Sequence, residues 1–267
     1  MKCTELSNNI MKELKNSNFK KKHIYVVQVG NREDSNKYIK NKIKKCKELG
    51  LNCEVLHYEE NEITNDGLRE IVKCYNVLDI PLFIQLPLPD HLDEDIVHDI
   101  KYNIDIDGFG YETLGRIVVG NSDKYPCTPK GIITILENIT DLEGKDILII
   151  NRSFHIGKTL ALMLTDKDCT VTVAHSKTKN LQDKINAVDI VITAIGKPNY
   201  FNADNFKAGQ IVIDVSINVD ETGKICGDID KLAYAELEKK GVIFTEVPNG
   251  VGAMTTTSLM EQIANLK

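Results

Sequence analysis

Asp146-Ile147-Leu148-Ile149-Ile150-Asn151-Arg152-Ser153-Phe154-His155-Ile156-Gly157-Lys158 decides how the chain is read. An apolar run enters a short polar turn and leaves it into Leu160-Ala161-Leu162-Met163-Leu164. Strand, tight turn and helix in that order offer backbone N–H groups and a helix N-terminus to a phosphate. The turn is not G-x-G-x-x-G, because Gly157 stands alone, so an ordinary βα turn stays open as a reading.

The next apolar run, Thr170–Ala174, ends in His175-Ser176-Lys177-Thr178. NAD-binding folds usually carry a carboxylate near this point to accept from the ribose 2′-hydroxyl. Ser176 beside Lys177, with Arg152 on the first turn, suits a 2′-phosphate instead, so NADP is expected over NAD. Two further turns should border the same crevice: Thr193 to Pro198, with Gly196, and Asp214 to Asn218, with Ile217. Ligands of open α/β sheets lie outside the carboxyl ends of strands.

Outward from this region the same alternation continues. Ile24–Val29, Cys53–Tyr58 and Leu82–Leu86 read as buried strands, separated by amphipathic segments near 34–49 and 65–76. Ile190–Ile195, Ile211–Val215 and Val242–Glu246 complete the later set. Strands alternating with helices imply largely parallel sheets covered on both faces. The stretch from Asp105 to Pro129 breaks the rhythm with Gly108, Gly110, Gly115, Gly120, Pro126 and Pro129. It reads as too rich in breakers for a core element. The expected fold class is therefore α/β with two domains, residues 1–126 and 127–253, and a cleft between them. A helix starting at Thr128-Pro129, with Thr as cap and Pro at its first position, would follow the boundary.

Asp34 and Ser35 are N-cap candidates for the helix that runs to about Leu49. Ile39, Ile43, Cys46 and Leu49 form its apolar stripe, and Tyr38 and Lys42, four apart, share one flank. That flank is either a solvated helix edge or the wall of a site. Tyr-x-x-x-Lys also marks short-chain dehydrogenases, but there the pair follows the dinucleotide turn in the same domain, so that assignment is rejected. Gln85 is a polar residue at the carboxyl end of an apolar run; it needs a partner, either a loop or Lys42. Asp105 and Asp107 flank Ile106 ahead of Gly108, but other ligands at metal spacing are lacking, so no metal is expected.

Composition bounds the function. Of 267 residues 42% are hydrophobic and 27% charged, and the net charge is −6. A chain this acidic argues against nucleic-acid binding. The tight basic cluster, Lys20-Lys21-Lys22, is read as solvating the start of a strand. No apolar stretch approaches the roughly 18 residues of a membrane span, and Met1 to Glu5 lacks the apolar core of a signal peptide. Seven cysteines, none in C-x-x-C spacing, point to reduced thiols and a cytoplasmic protein.

Seven landmarks stand in order along the chain: Val29-Gly30 leading to Ser35, Tyr38, Ile39 and Lys42; Gln85 to Pro89; Asp105 to Phe109; Pro126 to Gly131; Arg152-Ser153; His175-Ser176 with Thr178; and Val247-Pro248 through Gly252 to Thr255. In this the sequence resembles the bifunctional methylenetetrahydrofolate dehydrogenase/methenyltetrahydrofolate cyclohydrolase family over nearly its whole length. The resemblance implies oxidation of 5,10-methylenetetrahydrofolate with NADP and hydrolysis of the methenyl product to 10-formyltetrahydrofolate, within one-carbon metabolism and purine biosynthesis. It implies tetrahydrofolate derivatives as partners and a homodimer through the cofactor domain. It implies Lys42 as general acid/base, Gln85 to orient or tune it, and Tyr38 to position the substrate. Asp107 would anchor the guanidine-like edge of the pterin, and Pro248 to Gly252 would wall the substrate. Thr128, Asn151, Arg152, Ser153, Gly157, Ser176, Gly196 and Ile217 would contact the cofactor. The segment 254–267 would be a closing helix returning to the first domain.

The sequence departs from the family pattern at Ile104 (usually Lys), Thr113 (Asn), Asn151 (Gly), His155 (aliphatic) and Thr159 (Pro), and at Glu246, Asn249 and Ala253 in the last loop. Asn tolerates positive φ best of the non-glycine residues, so Asn151 and Asn249 are expected to keep the backbone path. Two other readings stay open here: a degenerate, non-catalytic folate binder, and an NADP dehydrogenase of another small substrate.

Overall fold

A computed structural model describes residues 1–17 and 22–266, with the side chain of Asp34 also left aside. Lys20 and Lys21 of the basic cluster lie outside the described residues. The chain divides into two compact units: Asn9–Cys127 with Thr256–Lys267, and Met1–Asn8 with Thr128–Thr255.

The first unit opens with a helix that sequence patterning had not marked, α1 (Thr4–Leu14), followed by β1 (His23–Val29), α2 (Glu33–Glu48), β2 (Asn52–Tyr58), α3 (Asn65–Leu78) and β3 (Leu82–Ile84). The strands form a parallel sheet in the order β2-β1-β3. Side chains alternate across it. Ile24, Val26 and Phe83 pack with Ile39 and Cys46 of α2, while Val27, Val29, Leu82 and Ile84 pack with Leu68 and Val72 of α3. Both faces are thus apolar, which is why these strands read as nearly continuous hydrophobic runs. α3 starts at Thr64, whose hydroxyl accepts from the Gly67 N–H at 3.2 Å.

Two expectations for this unit need correction. The N-cap of α2 is Arg32, without a side-chain cap bond, and Ser35 is buried inside the first turn. The glycine-rich stretch after Asp105 contains a helix, α4 (Tyr111–Val118), with Thr113 and Ile117 buried. Its glycines punctuate rather than prevent it. Gly110 is the N-cap, where a Cβ would lie 2.2 Å from the Ile100 carbonyl oxygen, and Gly120, at φ 66°, follows the C-terminal end.

The second unit contains α5 (Cys127–Ile139, its first residue counted with the first unit), β4 (Asp146–Ile150), α6 (Thr159–Thr165), β5 (Thr170–Ala174), α7 (Leu181–Ala187), β6 (Ile190–Thr193) and β7 (Ile211–Asp214). A hairpin, β8 (Asn218–Val219) with β9 (Ile225–Cys226), and then α8 (Tyr234–Lys239) and β10 (Ile243–Phe244) follow. The last helix, α9 (Val251–Ala264), is assigned to this unit as far as Thr255. Five strands pair in parallel in the order β10-β7-β6-β4-β5. Leu148, Ile150, Val191 and Val212 from the sheet pack with Phe201, Phe206, Leu237 and Phe244. α5 begins at Cys127, so Thr128 lies in its first turn instead of capping it. Among the described residues no helix is long and apolar enough to cross a membrane.

Candidate active site

In the first unit the face of the sheet covered by α2 carries the titratable group. Gln85 follows β3 two residues after Phe83, so both side chains fall on the α2 side. The Gln85 N–H still joins the ladder, donating to the Val27 carbonyl at 2.8 Å. Lys42 is only 7% exposed; its Nζ donates to Gln85 Oε1 at 3.1 Å and sits 4.1 Å from the centroid of the Phe83 ring. Gln85 Nε2 donates in turn to the Leu86 carbonyl at 2.6 Å, which fixes the amide so that its oxygen faces the lysine. Lys42 therefore does not lie on a solvated helix edge, and Tyr38, one turn earlier, is half-buried. Sequence reading passed over Lys45, three residues on and on the same flank. Its Nζ donates to Thr257 Oγ1 at 2.6 Å, and burial lowers its pKa to about 8.

Asp107 is half-buried in the turn after Ile104, and its neighbour Asp105 builds that turn. Asp105 is 1% exposed and accepts from the N–H groups of Gly108 (2.8 Å), Phe109 (3.4 Å) and Gly110 (2.8 Å) and from Thr113 Oγ1 (2.6 Å). Burial pushes the Asp105 carboxyl up, and the Thr113 hydrogen bond is the largest opposing influence. A carboxylate occupied in this way has no lone pairs left to offer a metal. The tight turn depends on Gly108, at φ 82°, where a Cβ would lie 2.4 Å from the backbone of Tyr125.

In the second unit the strand order, counted within the sheet, is 2-1-3-4-5, with β4 first and β5 second. Its switch point lies between β4 and β6, where ligands of doubly wound folds bind. Asn151 stands at that point. Its Nδ2 donates to the Ala194 carbonyl beyond β6 at 2.8 Å. Its Oδ1 accepts from Ser153 N (2.8 Å), Ser153 Oγ (2.8 Å) and Gly157 N (3.2 Å). The turn then enters one π-helical turn, Phe154–Lys158, capped by Ser153 Oγ, and continues into α6. A Cβ on Gly157 would fall 2.0 Å from the Asn151 carbonyl oxygen, so this close approach requires glycine. φ is positive at Asn249 (80°), as expected, but not at Asn151, which keeps the path through its side-chain bonds.

Arg152, Ser176 and Lys177 are exposed at the ends of β4 and β5. Gly196, at φ 74°, has open space where a Cβ would be, and Ile217 is 44% exposed. A Cβ on Gly252 would meet Ile217 Cδ1 at 3.3 Å, and Pro248 follows a cis peptide bond. Thr128 Oγ1 shares a hydrogen bond of 3.1 Å with Thr255 Oγ1. This donor set, two cations and a hydroxyl, fits a phosphorylated dinucleotide.

Fold and sites together define a dinucleotide-binding α/β protein with a second α/β unit that holds a buried lysine. Comparison with known proteins narrows the class. Residues 1–107 match the model for the tetrahydrofolate dehydrogenase/cyclohydrolase catalytic domain, and 126–267 match that for the NAD(P)-binding domain of the same family. The bifunctional protein FolD of Oceanobacillus iheyensis is 41% identical over 90% of this chain and 84% of its own. The crystal structure of bifunctional FolD from Campylobacter jejuni superposes with a TM-score of 0.90 at 37% identity, covering 98% of this chain and 96% of that one. The Trypanosoma brucei methylenetetrahydrofolate dehydrogenase-cyclohydrolase, solved with NADP and an inhibitor, gives 0.87 at 26% identity over 98% and 95%. The chain belongs to the tetrahydrofolate dehydrogenase/cyclohydrolase family.

Proposed function

We propose that this protein oxidises 5,10-methylenetetrahydrofolate to the methenyl form with NADP and hydrolyses that product to 10-formyltetrahydrofolate. The observation that carries the reading is the buried Lys42 amine, held by Gln85 at 3.1 Å in the unit that matches the family's catalytic domain. Bound NADP would supply the hydride acceptor. Arg152, Ser153, Ser176 and Lys177 would hold its phosphates, Gly196 and Ile217 would border it, and Thr128, Asn151 and Gly157 would shape the turn.

Oxidation needs the two rings aligned more than it needs proton transfer, because the folate nitrogens provide the electron push. Asp107, held by the Asp105 turn, would accept from the amino group and ring N–H of the pterin. Tyr38 would position the one-carbon bridge, and Pro248 to Gly252 would wall the substrate. Hydrolysis does need a proton carrier. The Lys42 amine would take a proton from the attacking water and return it to the ring nitrogen as the carbon–nitrogen bond breaks, and the adduct's remaining hydroxyl proton would leave to solvent as the formyl carbonyl forms. Gln85, fixed by its own bond to Leu86, would keep the amine in one place.

A homodimer is the expected assembly. β5 is an edge strand whose Val173 is 37% exposed, a liability that pairing with a second copy would remove; light scattering on the purified chain tests this. None of the seven cysteines is in a disulfide, which supports a reducing, cytoplasmic setting. The test of the function is a spectrophotometric assay with methylenetetrahydrofolate, run with NADP and NAD in parallel. Methenyl formation followed by its decay, with tighter use of NADP, is expected; neither activity, or equal use of NAD, would contradict the proposal.

A further inference from the structure

The turns that border the cofactor face of the second unit share one buried acceptor. Asp228 is fully buried just beyond β9. Its Oδ2 accepts from Thr193 Oγ1 (2.7 Å), Ile195 N (2.8 Å) and Ser216 Oγ (2.8 Å). Its Oδ1 accepts from Gly196 N (3.1 Å), Lys197 N (3.0 Å) and Asn218 Nδ2 (3.2 Å). The donors come from two separate turns, one after β6 and one after β7. Ser216 Oγ adds a direct link by accepting from Gly196 N at 3.1 Å. Six donors on one carboxylate are far more than a fold needs to bury a single charge.

The aspartate is itself pinned. Its N–H donates to Asp214 Oδ1 at 3.1 Å, and its carbonyl accepts from Phe201 N at 2.8 Å. Gly227, just before it, has room for no side chain, since a Cβ would lie 2.0 Å from Asp214 Oδ2. A fixed backbone therefore delivers a fixed carboxylate to two turns that, beyond the β6–β7 ladder, are otherwise linked by the Ser216 hydroxyl.

We infer that Asp228 is a positioning residue for the cofactor: it locks the Gly196 turn and the Ser216–Asn218 turn, with Ile217 between, into one rigid rim. The inference rests on the proposed NADP-dependent function. Asp228 is fully buried, so it would act through the turns it holds, and preorganised contacts are what a rim of exposed residues gains from such an anchor.

Asp228→Asn separates anchoring from folding. With its amide on the Oδ2 side, the new N–H₂ group can donate to the Thr193 and Ser216 hydroxyls, which rotate to accept. The Ile195 N–H, which cannot turn away, then loses its acceptor, while the two hydroxyl protons are free to rotate toward other acceptors. The expected result is NADP binding and KM weakened about tenfold, the scale of one orphaned buried donor. The cyclohydrolase rate, measured on methenyltetrahydrofolate without NADP, should stay within about twofold. Ser216→Ala should weaken NADP binding about threefold, and the double variant less than the product, because both changes act on one network.

Unchanged NADP constants in Asp228→Asn, or a cyclohydrolase rate that falls in step with the dehydrogenase rate, would overturn the inference. Should Asp228→Asn not fold, Ser216→Ala and Asn218→Ala decide by the same two readouts. Wild-type protein that binds no NADP in calorimetry would instead bring down the functional reading on which the inference stands.

Discussion

Thr113→Val removes a single hydroxyl from the turn that carries Asp107, and its cost can be worked from the geometry. Thr113 Oγ1 lies 2.6 Å from Asp105 Oδ2, and both residues are buried. Val conserves the shape but not the donor. A hydrogen bond to a charged group contributes about 1.5–3 kcal/mol. Asp105 keeps its bonds from Gly108, Phe109 and Gly110, so the loss should stay near the middle of that range, about 2 kcal/mol. It should also push the Asp105 carboxyl further up, since Thr113 is the strongest influence holding it down. Urea unfolding followed by circular dichroism measures the stability, and steady-state kinetics should show a raised KM for the folate with the KM for NADP unchanged. Thr113→Asn, which restores a donor, should recover most of both. A loss below about 0.5 kcal/mol with an unchanged folate KM would refute the claim that this hydrogen bond holds the substrate turn.

The buried Asp214 carboxyl is pushed up by burial to about 7 from an ordinary 3.8. Its folded value exceeds its unfolded one, so the stability it contributes is fully present below about pH 4 and is lost as pH rises through 7. Relative to Asp214→Asn, wild-type stability should fall over that window by an amount on the order of 4 kcal/mol; parallel pH profiles would contradict this. Asn151→Gly frees the Ser153 and Gly157 N–H groups for a phosphate, and titration should show NADP binding about fivefold tighter, the scale of one neutral hydrogen bond. Weaker binding would mean that holding the turn matters more to NADP than the N–H groups the carboxamide occupies.

Much of this is legible in the amino-acid sequence. β4 and β5 begin and end where the apolar runs do: β4 is buried along nearly its whole length, and β5, at the sheet edge, is still marked by its β-branched Thr and Val residues. The Lys42–Gln85 contact was within reach as well. Phe83 and Gln85 share a face by the two-residue period of a strand, and Lys42 shares a helix with the apolar stripe that covers that face. It stayed one of two alternatives because a lysine at helical spacing is usually solvated. α4 was illegible because Gly110, Gly115 and Gly120 look like breakers until two of them are seen to mark its ends. Asp105 and Asp107 looked equivalent; only the burial of one distinguishes the builder of the turn from the candidate anchor. Asn151 was expected to keep the backbone path by tolerating positive φ, yet it holds the turn through its carboxamide, including a tertiary bond across the switch point that spacing does not encode. Asp228 stands 10 to 12 residues after the Ser216–Asn218 turn and more than 30 after the Gly196 turn, so spacing gives no signal that it joins the two.

The central claim is that Lys42 serves the hydrolytic step, and Lys42→Met tests it most directly, because Met keeps the packing against Phe83 and deletes the amine. Cyclohydrolase turnover of methenyltetrahydrofolate should drop at least about 100-fold, while NADP-dependent oxidation of methylenetetrahydrofolate continues in part. Both activities surviving at wild-type rates would contradict it.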